Sequence, residues 1–320
     1  MQISDKKIFI TGGSGFIGSW LCSRLIKDNK IIIYDNETRD ALKFSDLRQH
    51  KNLTYIKGDI LNKGLLKKSI PDKVDIIFHL AAIAGVSSYY KIPLRTMEVN
   101  ILGTYNLLEA VKDKDLELFL DFSTSEVYGK IARHVKERDN TSQGDTSDMR
   151  WTYSISKLAA EKLCHCYHAE YDIPVVSIRP FNIYGPRQVG EGAVQIFISS
   201  ALKNEDIYVD GSGSQVRAWC YIEDFIEGTM KCVEKRGSAV GNIFNIGNPG
   251  AAVSVSELAE KVIQLSGSSS RLVFRKQSRT DIEYRIPDIS KAKEILGFSP
   301  KVDLIKGLER TIKWYRENLI

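Results

Sequence analysis

Two short segments of the chain carry side chains that are suited to acid–base chemistry. Residues 123–129 read Ser-Thr-Ser-Glu-Val-Tyr-Gly, and residues 153–157 read Tyr-Ser-Ile-Ser-Lys. Tyr153 and Lys157 are four residues apart, so on a helix they lie on one face. A lysine ammonium beside a phenol favours the phenolate, which lowers the pKa of the tyrosine from about 10. The spacing predicts a tyrosine that takes a proton from a substrate hydroxyl, although the pair alone is more typical of a packed tyrosine and a solvated lysine.

The elements around these segments predict where the side chains lie. An apolar run, residues 116–122, precedes the first segment and predicts a strand that ends beside it. The second segment opens a helical pattern that continues to about Tyr171. We therefore expect the acid–base residues at the carboxyl end of one strand and at the start of the following helix.

A glycine-rich turn near the start of the chain predicts a site for phosphate groups. Residues 7–10 form an apolar run, residues 20–27 show a helical pattern, and three glycines spaced three apart lie between them. Such a turn lets the backbone approach a pyrophosphate, whose charge the helix N-terminus stabilises. The residues of this turn predicted to contact a dinucleotide cofactor are Gly12, Gly15, Phe16, Ile17 and Gly18.

An acidic residue after the second predicted strand indicates which dinucleotide binds. The apolar run at residues 30–34 ends in Asp35. An acid at this point accepts hydrogen bonds from the adenosine ribose and repels a 2′-phosphate. The order of strand, glycines, helix, strand and acid therefore predicts a site for NAD in preference to NADP.

Three later segments supply further candidates for the cofactor site. Residues 53–57 and 74–80 predict strands, and residues 94–112 predict a helix. Asp59 could reach the adenine, or it could serve only as a turn aspartate. The candidates in these segments are Asp59, Ile60, Leu80, Ala81, Ala82 and Asn100.

The alternation of strands and helices up to residue 178 indicates the fold class. It predicts an α/β protein with a Rossmann-type, doubly wound parallel sheet, whose ligands lie at the carboxyl ends of the strands. From Arg179 onward, prolines, glycines and shorter elements predict a smaller C-terminal α/β part that binds substrate. We place the NAD-binding domain at residues 1–180 and the mainly substrate-binding part, interleaved with the end of the sheet, at residues 181–320. Short strands are predicted there at 207–209, 242–245 and 271–274, and helices at 193–203, 222–234, 256–266 and 304–319.

Composition and charge narrow the class of protein. The 320 residues carry a net charge of +5 with no block of basic residues, which suits an anionic small molecule at least as well as nucleic acid. We see no signal peptide after Met1, and no apolar stretch approaches the roughly 18 residues needed to cross a bilayer. Five scattered cysteines argue against a disulfide framework. We expect a cytoplasmic protein with no nucleic-acid or membrane partner.

Together these motifs resemble the extended short-chain dehydrogenase/reductase family that acts on nucleotide sugars. The resemblance includes two further segments, residues 179–187 (Arg-Pro-Phe-Asn-Ile-Tyr-Gly-Pro-Arg) and residues 211–217. It implies that Tyr153 deprotonates the sugar C4 hydroxyl while hydride passes to NAD. It also implies that Lys157 holds the nicotinamide ribose and lowers the pKa of Tyr153, and that Thr124 hydrogen-bonds the reacting oxygen.

The resemblance also assigns residues to the substrate. Asn182 and the segment at 211–217 would hold the nucleotide diphosphate, with Arg217 offering its planar fork to phosphate. The simpler alternatives are that Thr124 caps a strand end and that Arg217 forms a surface ion pair. The family resemblance further implies a homodimer, in which the helices at 94–112 and 154–171 supply apolar faces.

The subfamily depends on Ser125 and Glu126. In 4,6-dehydratases an Asp-Glu pair stands here, and simple 4-epimerases usually lack the glutamate. The Ser-Thr-Ser-Glu-Val-Tyr-Gly form is most similar to UDP-glucuronate decarboxylases, whereas Arg279 departs from their pattern and residues 130–148 match neither subfamily closely. The residues assigned to substrate by this similarity are Ala84, Tyr89, Ser125, Arg150, Asn182, Arg217 and Arg285, and those assigned to catalysis are Thr124, Glu126, Tyr153 and Lys157.

The chemistry of a glucuronic acid fits this similarity. Oxidation at C4 makes a β-keto acid, which loses CO₂ readily because the new ketone accepts the electrons. Arg285 or Arg150 could orient the carboxylate or protonate the enolate, and Glu126 could act near C5, although Arg285 could instead be a structural partner of Asp288. A 4,6-dehydratase, a 4-epimerase, a C4-dehydrogenase and a catalytically inactive nucleotide-binding regulator remain alternatives.

A pair of potential metal ligands lies outside these motifs. Cys164 and His168 have the i, i+4 spacing of metal ligands on a helix. No third or fourth ligand is evident in the sequence, so we predict no metal site and expect these residues to pack on the helix.

Overall fold

Seven predominantly apolar strands pair in parallel to form the main sheet of the protein, whose computed structural model describes residues 3–276 and 280–319. The strands are β1 Lys7–Thr11, β2 Lys30–Asp35, β3 Leu53–Lys57, β4 Ile76–His79, β5 Leu118–Phe122, β6 Ile131–Val135, β7 Val175–Pro180, β8 Ile183–Tyr184, β9 Ile207–Asp210, β10 Val216–Ala218, β11 Cys220–Tyr221, β12 Ile243–Ile246, β13 Ala252–Ser254, β14 Leu272–Arg275 and β15 Tyr284–Pro287. The main sheet has the order β12-β7-β5-β4-β1-β2-β3. Parallel neighbours require crossover connections, which the helices supply.

The α-helices are α1 Phe16–Leu25, α2 Lys63–Ser69, α3 Val86–Lys91, α4 Pro93–Met97, α5 Gly103–Val111, α6 Thr152–Tyr171, α7 Ala193–Leu202, α8 Ile222–Glu234, α9 Arg236–Ala239, α10 Val255–Ser266 and α11 Leu304–Asn318. Within the described ranges, no helix combines the length and the apolar character needed to cross a membrane.

Alternate side chains of the central strands enter two separate cores, one on each face of the main sheet. In β1, Ile8 and Ile10 belong to one core and Phe9 to the other. In β5, Leu120 and Phe119 divide in the same way. A strand that is buried on both faces is apolar at most of its positions, which is why these runs were recognisable in the sequence. The Rossmann-type α/β fold is confirmed.

A smaller sheet, with the order β13-β10-β15-β6, stands beside the main sheet. Three of its strands follow residue 215, but β6 comes from residues 131–135 and pairs in parallel with β15. Conversely, β12, from the C-terminal part of the chain, pairs with β7 and forms one edge of the main sheet. The sequence pattern predicted β12 but not β6, because only one residue of β6, Ala132, is fully buried and the strand has no apolar run.

The helix predicted at residues 94–112 is interrupted. It consists of α4, a π-helical turn at Glu98–Leu102, and α5. A π-turn widens the helix locally and often marks a functional position. Asn100 lies inside this turn.

Candidate active site

The glycine-rich turn packs directly against the end of β4. Gly12 has a φ of +71°, and a Cβ at this residue would lie 2.6 Å from the backbone nitrogen of Ala81. A Cβ at Gly18 would lie 2.6 Å from the carbonyl oxygen of Gly12. Only glycine avoids both clashes. Because α1 begins directly after the turn, at Phe16, its free N–H groups lie at the carboxyl edge of the sheet.

Asp35 ends β2 beside this turn. Its carboxylate accepts hydrogen bonds from the backbone nitrogens of Ser14, at 3.0 Å, and Glu37, at 2.7 Å. The turn and the acid are thus fixed to each other, with the negative charge at the end of the second strand. A cradle that admits only glycine, next to a helix N-terminus and a carboxylate, fits the pyrophosphate and the ribose of NAD.

Asp59 is held by contacts within the protein. Its carboxylate accepts a hydrogen bond from the backbone nitrogen of Leu61 at 2.9 Å and forms an ion pair with Arg95. The next residue, Ile60, is buried and packs so closely on Gly103 that a Cβ there would approach it to 2.6 Å. These contacts match the turn aspartate that the sequence left as an alternative, and a contact with adenine stays a prediction.

Asn100 fixes the loop that follows β4. Its side-chain oxygen accepts from the backbone nitrogen of Ile83 at 2.8 Å, and its amide nitrogen donates to the carbonyl of Ile83 at 3.1 Å. The same nitrogen donates to Ser156 on α6 at 2.9 Å. The loop that contains Ala82 and Ala84 is therefore tied to the helix that carries Tyr153.

Tyr153 and Lys157 lie near the start of α6, as predicted, but the expected effect on the tyrosine is wrong. The pKa of Tyr153 is raised, first by burial of the phenol and then by the negative charge of Glu126, while a hydrogen bond with Thr124 acts in the opposite direction. The Lys157 ammonium lies 3.8 Å from a carboxylate oxygen of Asp121, so its charge is largely offset by a partner of its own. The tyrosine therefore stays protonated over a wider pH range than the spacing alone suggested.

Glu126 and Arg150 form an ion pair joined by two hydrogen bonds. The Arg150 nitrogens donate to the Glu126 carboxylate at 2.6 and 3.1 Å. Arg150 also lies over the rings of Tyr89 and Trp151, 5.5 and 5.6 Å from their centroids. Burial raises the pKa of Glu126, but the charges of Arg150 and then of Arg285 outweigh it and hold that pKa below its usual value. Glu126 is ionised at neutral pH, and Arg150 is already engaged by a carboxylate of the protein.

Arg285, on β15, has an unused hydrogen-bond donor. The side chain is 2% exposed, and Nη1 donates to the backbone oxygen of Ser125. Among the residues that the structure describes, Nη2 has no hydrogen-bond partner. Burial lowers the pKa of Arg285 to about 10. Asp288, the structural partner considered in the sequence analysis, instead accepts from the backbone nitrogen of Ser290 at 2.7 Å, so that alternative is wrong.

Arg217 is the neighbour of Arg285 in the smaller sheet. The two residues are register partners on β10 and β15. Arg217 donates to a carboxylate oxygen of Asp281 at 3.2 Å and to the carbonyl of Ile282 at 2.6 Å. Its charge is partly neutralised by Asp281, as the ion-pair alternative proposed, and a contact with the diphosphate stays a prediction.

The remaining candidates fall into two groups. Tyr89 stacks on Tyr153, with ring centroids 6.1 Å apart and 15° between the ring planes, and thereby joins the group around Glu126. Asn182 has a φ of +44° and donates to the carbonyl of Ala218 at 3.1 Å, which ties it to the smaller sheet. The side chains that come together around Ser125 are Tyr89, Glu126, Arg150, Tyr153 and Arg285. Arg279 lies outside the described residues.

One buried group near the site was not singled out from the sequence. His79, at the end of β4, lies between the hydroxyls of Thr11 and Thr104, 2.8 Å from each. Burial, and then the positive charge of Lys157, lowers the pKa of His79 to about 3. The signal in the sequence was a single histidine in an otherwise apolar strand.

The Cys164 and His168 pair belongs to the packing of α6. Cys164 is fully buried, and Nδ1 of His168 lies 2.7 Å from the carbonyl oxygen of Ile173. In the described part of the chain, no group of three or more histidine, cysteine or acidic side chains is placed to hold a metal ion.

Comparisons with known proteins bear on this site. The family model described as the NAD dependent epimerase/dehydratase family matches residues 8–247. The UDP-N-acetyl-alpha-D-glucosaminuronate decarboxylase of Bacillus cytotoxicus is 38% identical over 98% of each chain, and UDP-glucuronic acid decarboxylase 5 of Arabidopsis thaliana is 37% identical over 95% of this chain and 88% of its own. Among solved structures, UDP-glucuronic acid 4-epimerase from Bacillus cereus in complex with UDP-glucuronic acid and NAD has a TM-score of 0.87, 33% identity, and coverage of 97% and 99%.

Proposed function

We propose a reaction for this protein from one premise: the chain belongs to the NAD dependent epimerase/dehydratase family. It is an NAD-dependent enzyme that acts on nucleotide sugars. We propose that it oxidises a UDP-hexuronate at C4 and releases the C6 carboxylate as CO₂. UDP-glucuronate and its 2-acetamido counterpart are the two substrates that the relatives suggest.

The unused donor of Arg285 is the observation that carries this proposal. A buried guanidinium with a free N–H is costly to leave without a partner, because it has lost its water and gained no full replacement. A carboxylate on C5 of the sugar would supply that partner beside Ser125. The hydroxymethyl group of a neutral hexose would leave the charge unpaired. Since Arg150 is bound to Glu126, Arg285 is the better of the two candidates for the substrate carboxylate.

The residues of the glycine-rich turn and Asp35 would hold the cofactor. The N–H groups at the start of α1 would face the pyrophosphate, and Asp35 would accept from the adenosine ribose. When bound, NAD takes up the hydrogen of C4 as hydride and returns it at the end of the reaction. The protein has to move the accompanying protons.

Only the ionised fraction of Tyr153, whose pKa is raised, would take the proton of the C4 hydroxyl, with Thr124 bonded to the same oxygen. Oxidation leaves a ketone at C4, β to the C6 carboxylate. Cleavage of the C5–C6 bond then releases CO₂, and its electron pair passes to the C4 oxygen as an enolate. A proton added at C5 restores the ketone, and Arg285 would deliver it, directly or through water. The proton on Tyr153 finally returns to the C4 oxygen.

The Glu126–Arg150 pair would set the field around C5. Glu126 is negative, so it disfavours a second anion on its own side and leaves the carboxylate to Arg285. Simple 4-epimerases do not break a bond at C5 and have no use for this glutamate. The pair therefore favours decarboxylation over epimerisation.

Epimerisation at C4 is the second candidate, because the structure aligns over 97% of the chain with an epimerase that binds UDP-glucuronic acid. The two reactions differ in the mass of the product. Purified protein incubated with UDP-glucuronate and NAD should give a product lighter by about 44 mass units, one CO₂. An unchanged mass with a new sugar would establish the epimerase, and no conversion of any UDP-hexuronate would refute the proposal.

We also propose a homodimer formed through α4, α5 and α6. Leu94 of α4 is 71% exposed. Tyr105 of α5, Tyr171 of α6 and Leu102, in the π-helical turn between α4 and α5, are also exposed. A cluster of exposed apolar side chains is typical of an interface. Sedimentation at micromolar concentration should show a dimer that Leu94→Asp weakens. Ile196→Asp, a control at an apolar residue that is 50% exposed on α7, should leave the dimer intact; a monomeric wild-type protein would contradict this proposal.

A further inference from the structure

Four polar side chains form a row across the main sheet next to the active site. They are Thr11, His79, Asp121 and Ser177, register partners on β1, β4, β5 and β7. None is more than 1% exposed. Register partners on neighbouring parallel strands point to the same face, and here they meet Thr104 of α5 and Lys157 of α6. Buried polar groups need partners, so each member of the row can be accounted for.

The first half of the row is neutral. The Thr104 hydroxyl donates to the carbonyl of Asn100 at 2.7 Å, so it accepts from Nε2 of His79. Nδ1 of His79 then accepts from the hydroxyl of Thr11. This arrangement requires the neutral ring, in agreement with the low pKa of His79. His79 therefore carries no charge toward Asp121 at the pH where enzymes work.

The second half of the row is charged. The Ser177 hydroxyl donates to Oδ2 of Asp121 at 3.1 Å. Oδ1 of Asp121 has no hydrogen-bond partner in the described part of the chain and lies 3.8 Å from Nζ of Lys157. The two side chains are 0% and 3% exposed. Both charges are thus withdrawn from water.

The other ionisable groups around Asp121 are already neutral or paired. On α6, burial raises the pKa of the Cys164 thiol, which stays protonated. Glu161 of α6 and Arg179 of β7 bind each other through two hydrogen bonds of 2.6 and 2.9 Å. Asp121 and Lys157 are therefore left as counter-ions of each other.

We propose that Asp121 is a positioning residue, whose ionised carboxylate holds the Lys157 ammonium in the buried place from which Lys157 would bind the nicotinamide ribose of the cofactor. The proposal rests on the proposed function only for the binding of NAD, and the role of Lys157 in that binding is the one that the family resemblance implies. An unpaired ammonium in this position would be strongly disfavoured, because no water replaces the lost counter-ion.

The pairing has a consequence for pH. Burial raises the pKa of Asp121 to about 6, against the opposing charge of Lys157. As the pH falls through that value, Asp121 takes up a proton and Lys157 loses its counter-ion. NAD affinity and turnover should both decrease in this range.

Calorimetric titration with NAD from about pH 5 to about pH 8 tests the proposal without any sugar substrate. Wild-type protein should bind NAD about tenfold more weakly at the acid end, with a midpoint near 6. Asp121→Asn should bind NAD with the weaker affinity at every pH in this range, with no change near pH 6. Ser177→Ala keeps both charges but removes a hydrogen bond that favours the ionised carboxylate, so its step should move to higher pH.

Turnover provides the second measurement. At about pH 8, Asp121→Asn should lower kcat about ten- to a hundredfold with little change in the KM for the sugar, because Lys157 is displaced and the sugar contacts are not. The proposal would be overturned if Asp121→Asn lost NAD affinity at acid pH to the same extent, and with the same midpoint, as the wild-type protein. If that variant does not fold, the proposal would be overturned by a Ser177→Ala protein whose NAD affinity falls with the same pH midpoint as that of the wild type. If the NAD titrations give the expected pH dependence but the protein converts no nucleotide sugar, only the proposed function is refuted.

Discussion

The two parts of the candidate site are built in different ways. We call the glycine-rich turn with Asp35, where we propose that the cofactor binds, the nucleotide end, and the side chains around Ser125, where we propose that the sugar binds, the sugar end. At the nucleotide end, backbone atoms take part in the contacts: the backbone nitrogens of Ser14 and Glu37 donate to Asp35, and Gly12 packs on the backbone of Ala81. At the sugar end, charged side chains make the contacts. Glu126 meets Arg150, and Arg285 reaches the carbonyl of Ser125 across 160 residues.

We expect the nucleotide end to be common to the family and the sugar end to distinguish its members. A backbone cradle recognises a pyrophosphate whatever the sugar, and this chain is similar both to decarboxylases and to an epimerase solved with NAD. Side-chain charges recognise one group at one position. Substitutions at the sugar end should therefore alter the reaction. Substitutions at the nucleotide end should weaken the binding of NAD and leave the product unchanged.

The largest effect should come from Tyr153→Phe at the sugar end. This change removes the proton acceptor and keeps the ring that stacks on Tyr89, so turnover should fall by about 10²–10⁴-fold. Calorimetry should show that NAD and the UDP-sugar still bind. Turnover near the wild-type level would mean that the reacting hydroxyl lies elsewhere.

Arg285→Ala should separate chemistry from binding. Loss of the buried guanidinium should slow CO₂ release by about ten- to a hundredfold, the value of a hydrogen bond to a charged group, with a smaller effect on UDP affinity. Arg217→Ala is the matched control, since it removes the neighbouring guanidinium and should weaken UDP-sugar binding more than it slows CO₂ release. If both variants lose affinity for the UDP-sugar and neither slows CO₂ release, no charge at the sugar end is dedicated to the carboxylate.

Gly18→Ala tests how rigid the backbone cradle is. The new methyl group would lie 2.6 Å from the carbonyl oxygen of Gly12, and overpacking of this kind costs about 1–3 kcal/mol of unfolding free energy. Gly237→Ala, in α9, meets no atom within 4 Å and should be neutral or stabilising by up to about 1 kcal/mol. Denaturant unfolding measures both. Equal stabilities would show that the turn has room to adapt.

The smallest effect is expected at Asp35. Asp35→Ala should weaken the binding of NAD by about tenfold, because a hydrogen bond to a charged group is lost. The preference for NAD over NADP should also decrease. The product formed from the sugar should be unchanged. Wild-type protein that binds NADP as tightly as NAD would show that the carboxylate, which Ser14 and Glu37 already bind, does not control the choice.

The same difference decides what could be predicted from the sequence. The main sheet, the glycine turn and the helix with Tyr153 and Lys157 follow from contiguous patterns, because buried parallel strands and helices leave periodic apolar runs. The strand at 131–135 could not be predicted, since its pairing with β15 comes from tertiary structure and not from an apolar run. The raised pKa of Tyr153 was missed for a related reason: Glu126 and burial act on the phenol through space, whereas only Lys157 is near it in sequence.

The pairing of β6 with β15 has a consequence for synthesis of the protein. Domains fold as the chain emerges, and contacts between distant residues form late because a long loop has to close. Strands β1 to β5 can assemble around the nucleotide site while the second half of the chain is still being made. The smaller sheet has to wait for residue 287, since β15 is one of its two inner strands. A nascent chain should thus be able to bind NAD before Arg285 completes the sugar end, and a chain truncated before β15 should bind NAD but lack that guanidinium.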